Sequence, residues 1–205
     1  QWAQVRTDNF KAWFGDWENK SNELDDFVLD ENDEPAIFIH RSRNDGLTEL
    51  KNNGDYGGIF ALKEDDAGSN YGKIKHELFV SGSIAGNRDI SDAVYDDSTD
   101  DFLISYFGKS ITDAEIDFAK ELLVEDFSNF TDTDINTLFS DDDYASAQKL
   151  RGQFARYLGY TGVIIADEFS GDAVLLVEPV KIKSAISNNG EFSPTNPDIR
   201  FSRAE

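Results

Sequence analysis

The chain has 205 residues, no cysteine and a formal net charge of −22, from 41 acidic and 19 basic residues. This length fits one domain with a substantial core, or one domain with a large insertion. Disulfides, cysteine-ligated metals and thiolate nucleophiles are excluded, no apolar run or signal peptide indicates a membrane, and the acidity disfavours nucleic acid as a partner.

The first predicted element is an amphipathic helix within residues 7–17, with Thr7 or Asp8 as its N-cap. Its aromatic face consists of Phe10, Trp13, Phe14 and Trp17. A polar turn at residues 30–35 then precedes a short apolar strand from Ala36 to His40. A second helix is predicted near residues 46–51.

The run from Gly57 to Gly72 has the pattern of a strand followed by a helical turn, with Phe60 and Tyr71 near its two ends. Two aromatic rings at this separation can face each other across a cleft. A flat ligand between them would gain about 0.5–1.5 kcal/mol per aromatic contact beyond its area burial. The alternative is that both rings belong to the core. Residues 75–84 alternate as another strand.

Residues 87–145 differ in composition from the rest of the chain. They hold 17 Asp or Glu against 3 Lys or Arg, and so contribute 14 of the 22 net negative charges. Thr112 and Glu115 form a capping box at the start of one helical segment. We interpret residues 87–144 as an acidic helical insertion, which is a solvated face, a lid or a docking surface for a basic partner. Residues 141–143 lack the spacing of a calcium loop, so we predict no metal site.

The chain after the insertion returns to regular patterns. Residues 145–158 are amphipathic and helical, and two strands follow at residues 162–166 and 173–177. We therefore predict a single domain over residues 1–205, with a core formed by residues 8–86 and 145–203. The absence of methionine, also at position 1, predicts that the chain is a piece of a longer polypeptide.

Three sequence segments together resemble the NAD site of ADP-ribosyltransferases of the diphtheria-toxin and poly(ADP-ribose) polymerase type. They are residues 37–43 (IFIHRSR), 57–72 (GGIFALKEDDAGSNYG) and 172–179 (DAVLLVEP). The chain is most similar to the ADP-ribosyltransferase domains of phage polyvalent and portal-associated proteins. This resemblance implies an α+β fold in which two small, roughly perpendicular β-sheets form an NAD cleft, with flanking helices. It also implies NAD as substrate and no metal.

The resemblance assigns the first of these segments, residues 37–43, to NAD binding. His40 would hydrogen-bond the adenosine-side ribose, and Arg41 and Ser42 stand where the family usually has glycine and serine. Glycine there offers its backbone to the nicotinamide amide. Arg41 can do the same if its backbone angles do not require glycine.

The second segment, residues 57–72, would hold the nicotinamide ring. The resemblance implies that Tyr71 stacks on the ring and that Phe60 packs behind it. Ser69 lies one place from the serine that usually binds the carboxamide, where this chain has Gly68.

The chemistry also requires a carboxylate, because breaking the nicotinamide–ribose bond passes through an oxocarbenium-like state. Aligning the last strand on residues 178–183 puts Ala173 in the slot of the family's catalytic glutamate. Asp172 is adjacent, but neighbouring residues of a strand point to opposite faces. Either Ala173 is an engineered knock-out, or Asp172 is the catalytic acid, or the chain is an NAD-binding relic. Glu168 is a further carboxylate in the preceding loop.

We expect a mono-ADP-ribosyltransferase that moves ADP-ribose from NAD to a macromolecule, with protein favoured over nucleic acid as acceptor. It would be a phage or interbacterial effector or toxin that acts in the bacterial host cytoplasm after delivery. Two alternatives stay open: a non-catalytic acidic binding module with a vestigial NAD cleft, and an NAD glycohydrolase.

Overall fold

The structure is a computed structural model that describes residues 2–19, 28–63, 72–108, 110–124, 129–139, 144–167 and 171–200. It confirms a mixed α+β fold with two sheets. The helices are α1 (Asp8–Phe14), α2 (Asn87–Ala93), α3 (Asp97–Phe107), α4 (Asp113–Val124), α5 (Asp132–Ile135) and α6 (Tyr144–Tyr157). The strands are β1 (Ile37–Ser42), β2 (Ile59–Ala61), β3 (Ile74–Val80), β4 (Ile84–Ala85), β5 (Gly162–Asp167), β6 (Gly171–Leu176) and β7 (Ile182–Ser184).

The two sheets meet along a seam between β1 and β2. The first sheet has the order β1-β3-β7 and the second the order β2-β6-β5-β4, in which β4 is parallel to β5 and the other neighbours are antiparallel. Ile39 and Leu62 exchange two backbone hydrogen bonds of 2.7 and 2.9 Å across the seam. Phe38, Leu78, Val174 and Leu176 are buried in one apolar cluster, which therefore lies between the sheets.

The predicted N-terminal helix is confirmed, with Thr7 as its N-cap. The Thr7 side chain accepts a hydrogen bond from the backbone N–H of Phe10. The four predicted aromatic residues are all buried, and Phe10 contacts the rings of Phe79 and Phe192. The aromatic face of α1 thus attaches the N-terminus to the first sheet and the C-terminal segment.

Helices α2 to α4 pack on α6 and the second sheet. Ile90, Leu103 and Leu123 share one buried cluster with Phe154 and Leu175. The predicted capping box is confirmed, because the backbone N–H of Thr112 donates to Glu115 and that of Glu115 donates back to the Thr112 hydroxyl. The acidic segment therefore contributes to the main core although its outer faces are charged.

A buried arginine joins the acidic segment to the core. Arg151 of α6 donates to the backbone oxygen of Leu123 and to the side chain of Asn87, both at 2.5 Å. Burial lowers the pKa of Arg151 to about 10, so the side chain stays cationic at neutral pH. One guanidinium group thus fixes α4 and α2 to α6.

Two predictions of secondary structure need correction. Residues 46–51 form no helix, because Glu49 pairs with Asp198 and the Thr48 carbonyl accepts a hydrogen bond from Ile199. The predicted strand at residues 75–84 is divided between the sheets at Gly82, whose φ of 86° ends regular extension. The helical turn predicted before Tyr71 falls on residues 64–71, outside the described residues.

Candidate active site

The centre of the candidate site is the imidazole of His40, which lies on β1 at the seam. Its Nδ1 is 2.8 Å from the backbone oxygen of Phe60. Because a carbonyl oxygen only accepts hydrogen bonds, Nδ1 must carry the proton. Burial lowers the pKa of His40, and His76 adds to this effect while the bond to Phe60 opposes it. In the neutral ring, Nε2 is then a hydrogen-bond acceptor, which suits a ribose hydroxyl group.

A second histidine lies directly opposite the first. His40 and His76 are paired in the β1–β3 register, and their ring centroids are 5.9 Å apart. The Nε2 atom of His76 is 2.9 Å from the Ser42 hydroxyl and 3.1 Å from the Asn44 carbonyl. Since the Ser42 hydroxyl donates to Asn44, we infer that His76 donates from Nε2. His76 therefore fixes the end of β1.

Arg41 occupies regular strand geometry between the two candidate ligand-binding residues of β1. It is paired with Lys75 in the β1–β3 register. Among the described residues, positive φ angles outside glycine occur at Asp33 and Phe192, and Arg41 is not one of them. The Arg41 backbone angles therefore do not require glycine. Gly72 supports this part of the chain, because a Cβ atom there would lie 2.2 Å from the Ser42 carbonyl oxygen. The segment after Tyr71 thus returns directly against β1.

Phe60 is half-buried on β2, and its ring faces away from the space between the sheets. It packs against the cluster on the helical side and makes an edge-to-face contact of 5.0 Å with the exposed ring of Tyr56. Its backbone, by contrast, orients His40. Tyr71 and Ser69 lie outside the described residues, so their assignment to nicotinamide stays a prediction.

Strand β6 carries the two candidates for the catalytic position. Val174 and Leu176 belong to the cluster between the sheets, whereas Leu175 and Val177 belong to the cluster on the helical side. Ala173 is fully buried, with 0% exposure, and alternation places it on the helical face with Leu175. Asp172 is in backbone register with Ala166. Glu168 is outside the described residues.

A cavity of about 380 Å³ opens on the second sheet, and Val174 of β6 forms part of its wall. This volume falls within the range of about 300–1,000 Å³ that is typical of ligand sites. Its lining comprises Val28, Leu29, Lys63, Ser83, Ile84, Asp89, Tyr160, Ile164 and Val174. Its floor is apolar, and its polar groups include one amine and one carboxylate.

Basic side chains concentrate at the ends of β1 and β3, in contrast to the acidity of the whole chain. Arg41 is paired with Lys75, and Arg43 and Lys73 extend the same two strands. Like charges directly opposite each other on a sheet are unfavourable. Lys75 also forms an ion pair of 2.9 Å with Glu77, which offsets part of this repulsion. Among the described residues, no group of three or more His, Cys, Asp or Glu side chains could hold a metal ion.

His76 and Lys63 were not predicted from the sequence as residues of the site. A usable signal existed for His76, because the chain has two histidines and both lie in strands. Aligning the strands that contain them would have paired them. Lys63 offered no such signal, because its position depends on how β2 meets the cavity.

The two-sheet fold with an oriented histidine at the seam defines an α+β protein of the ADP-ribosyltransferase class. The family model described as "Anti-CRISPR Type I-F ADP-ribosyltransferase AcrIF11" matches residues 40–185, and the chain belongs to this family. A solved structure described as "Crystal structure of an anti-CRISPR protein" has a similar fold, with a TM-score of 0.51 and 19% identity. That likeness covers 72% of this chain and 93% of the other. No curated protein matches the chain.

Proposed function

We propose that this protein transfers ADP-ribose from NAD to a protein acceptor. In this reaction the bond between the nicotinamide nitrogen and ribose C1′ breaks, and its electron pair leaves with nicotinamide. The acceptor forms a new bond to C1′ and releases one proton. Family membership supports the transferase class, and the seam between the sheets supplies groups that fit NAD.

The orientation of His40 is the observation that carries this proposal. The Phe60 carbonyl holds the Nδ1 proton, so Nε2 presents its lone pair to a ribose hydroxyl group. A neutral imidazole is required for this role, and the lowered pKa of His40 maintains it at neutral pH. We assign Arg41 and Ser42 to the nicotinamide side and the phosphates to the neighbouring basic side chains.

We propose Asp172 as the carboxylate that stabilises the oxocarbenium-like state. Residues at positions 172, 174 and 176 are expected on one face of β6, and Val174 and Leu176 belong to the apolar cluster between the sheets. Ala173 belongs to the opposite face of β6, which packs on the helices, and is fully buried. A glutamate there would have to enter a packed interior, at a cost of several kcal/mol.

The name of the family indicates the biological setting. An anti-CRISPR ADP-ribosyltransferase directed at type I-F systems needs a target within the CRISPR machinery. We propose a protein of that machinery as acceptor and the bacterial cytoplasm as the place of action, with a phage as the source. Nucleic acid is disfavoured because most of the surface would repel its phosphates.

The variant Asp172→Asn tests the catalytic assignment. The purified protein would be incubated with labelled NAD and a lysate from a bacterium with a type I-F CRISPR system. We expect labelling of protein to fall about 100-fold to 1,000-fold, while calorimetry shows unchanged NAD affinity. Asp92→Asn, an exposed change on α2, is the matched control.

The variant Ala173→Glu separates this assignment from its rival. We expect lower thermal stability and no gain in labelling, because the added carboxylate would be buried. A gain of orders of magnitude would instead place the catalytic glutamate at position 173. Release of free ADP-ribose without labelled protein would identify an NAD glycohydrolase.

A further inference from the structure

The Ser42 hydroxyl at the end of β1 uses all of its hydrogen-bonding capacity within the protein. It donates to the Asn44 carbonyl at 2.8 Å. Its oxygen lies 2.9 Å from Nε2 of His76 and accepts from the Asn44 backbone N–H at 3.2 Å. A serine hydroxyl has one proton and two lone pairs. All three are occupied, so the hydroxyl has no hydrogen bond left to offer to NAD.

His76 is the one of these two partners that comes from another strand. It lies on β3, opposite His40 in the register, whereas Asn44 follows Ser42 closely in the chain. The Asn44 carbonyl lies 3.1 Å from the same Nε2 atom. Since a carbonyl oxygen only accepts hydrogen bonds, Nε2 carries a proton and donates. The imidazole of His76 thus attaches the turn after β1 to the neighbouring strand.

The main chain of Ser42 is held from a second side by Gly72. A Cβ atom at position 72 would lie 2.2 Å from the Ser42 carbonyl oxygen and 2.7 Å from its Cα, so the two main chains are in contact. Ser42 is therefore fixed through both its side chain and its backbone. Arg41 lies directly between this anchor and His40, whose ring is held by the Phe60 carbonyl.

We infer that His76 is a positioning residue that fixes the nicotinamide end of the NAD site through Ser42; the inference rests on the proposed ADP-ribosyl transfer. Arg41 is assigned to the nicotinamide side through its backbone. A main chain anchored at both neighbouring residues keeps that backbone in place before the ligand arrives, and preorganisation of this kind lowers the cost of binding. His76 needs no contact with NAD, because its Nε2 is engaged by Ser42 and Asn44.

Two amide substitutions of His76 test this inference as a matched pair. Glutamine places its amide nitrogen where the imidazole has Nε2 and can still donate to Ser42, whereas the shorter asparagine cannot reach it. In calorimetry with NAD, we expect His76→Asn to weaken binding about 10-fold, the scale of one lost hydrogen bond, and His76→Gln to stay within about twofold of the wild type. Binding of ADP-ribose, which lacks nicotinamide, should be similar in all three proteins, because His40 keeps its own partner.

The same measurement in a Ser42→Ala background shows whether His76 acts through Ser42. We expect Ser42→Ala alone to weaken NAD binding about as much as His76→Asn does. The combined variant should bind NAD no more weakly than either single variant, because both changes remove the same hydrogen bond. If His76→Asn does not fold, Ser42→Ala carries the comparison between NAD and ADP-ribose.

Three results would each overturn the inference. They are additive losses in the combined variant, equal NAD affinities of His76→Asn and His76→Gln, and a loss of ADP-ribose affinity as large as that of NAD. The last result would show a general disturbance of the fold instead of an effect on the nicotinamide end. A wild-type protein that binds neither NAD nor ADP-ribose would instead refute the proposed function itself.

Discussion

His40 and His76 lie on the same sheet face but donate hydrogen bonds from different ring nitrogens. The Phe60 carbonyl holds the proton of His40 on Nδ1, whereas Ser42 and Asn44 hold that of His76 on Nε2. A rigid, neutral ring offers a hydrogen-bond acceptor without reorganisation when the ligand arrives. The carbonyl partner of His40 is therefore as important to the proposed site as the histidine itself.

The lowered pKa of His40 predicts a loss of stability in acid. The unfolded chain takes up a proton near the ordinary pKa of about 6.5, before the folded chain does. Unfolding free energy should therefore fall as the pH decreases from about 6.5 towards the folded pKa, with a limiting slope of about 1.4 kcal/mol per pH unit.

Urea titrations at several pH values would measure this slope. His40→Gln lacks the titrating group, so its slope in this window should be smaller than that of the wild type. Identical slopes in the two proteins would contradict the burial of a neutral His40.

At the scale of elements, the C-terminal segment fastens the first sheet to the loop before β2. Ser184 of β7 donates its backbone N–H to Ile199, and Ile199 donates to Thr48. Lys183 is fully buried, and its Nζ donates to the carbonyls of Asn196 and Asp198 at 2.5 and 3.2 Å. Burial lowers the pKa of Lys183, and the charge of Asp198 opposes this shift. These backbone pairings also prevent a helix at residues 46–51.

Lys183→Met should destabilise the protein, because methionine keeps most of the volume but removes the donor to two partly buried carbonyls. Each unsatisfied group costs about 1–3 kcal/mol. The measurement is the midpoint of urea unfolding. Lys181→Met changes an exposed lysine two residues earlier and should be nearly neutral. Equal midpoints for wild type and Lys183→Met would show that the segment is held by other contacts.

At the scale of the molecule, charge is distributed unevenly. Residues 87–145 carry 17 acidic side chains against 3 basic ones, whereas Arg41 and Lys75 are paired where β1 ends and β3 begins. A net charge of −22 repels itself in the compact state. The fold tolerates this because the acidic helices bury apolar residues such as Ile90, Leu103 and Leu123 in the core.

Added salt should therefore stabilise the protein. The Debye length falls from about 30 Å at 0.01 M to about 3 Å at 1 M ionic strength, so we expect the thermal midpoint to rise with sodium chloride. Neutralising Asp101, Asp117 and Glu121, which are exposed on α3 and α4, should raise the midpoint at low salt and reduce its salt dependence. A midpoint that falls with salt would indicate that ion pairs outweigh repulsion.

Features that depend on neighbouring residues could be predicted from the sequence alone. The aromatic face of α1, its Thr7 cap and the Thr112–Glu115 box follow from spacings of three or four residues, and the structure confirms all three. The ADP-ribosyltransferase class was also predictable, because short phrases carry its binding groups, and the family match supports it.

Features that depend on distant partners could be established only from the three-dimensional fold. The pairing of His40 with His76 is set by strand register, and the burial of Ala173 by the packing of β6 against helices. Residues 46–51 form no helix because Asp198, about 150 positions away, pairs with Glu49. Register, face and cavity arise from contacts between strands that are far apart in the chain, so local periodicity cannot specify them.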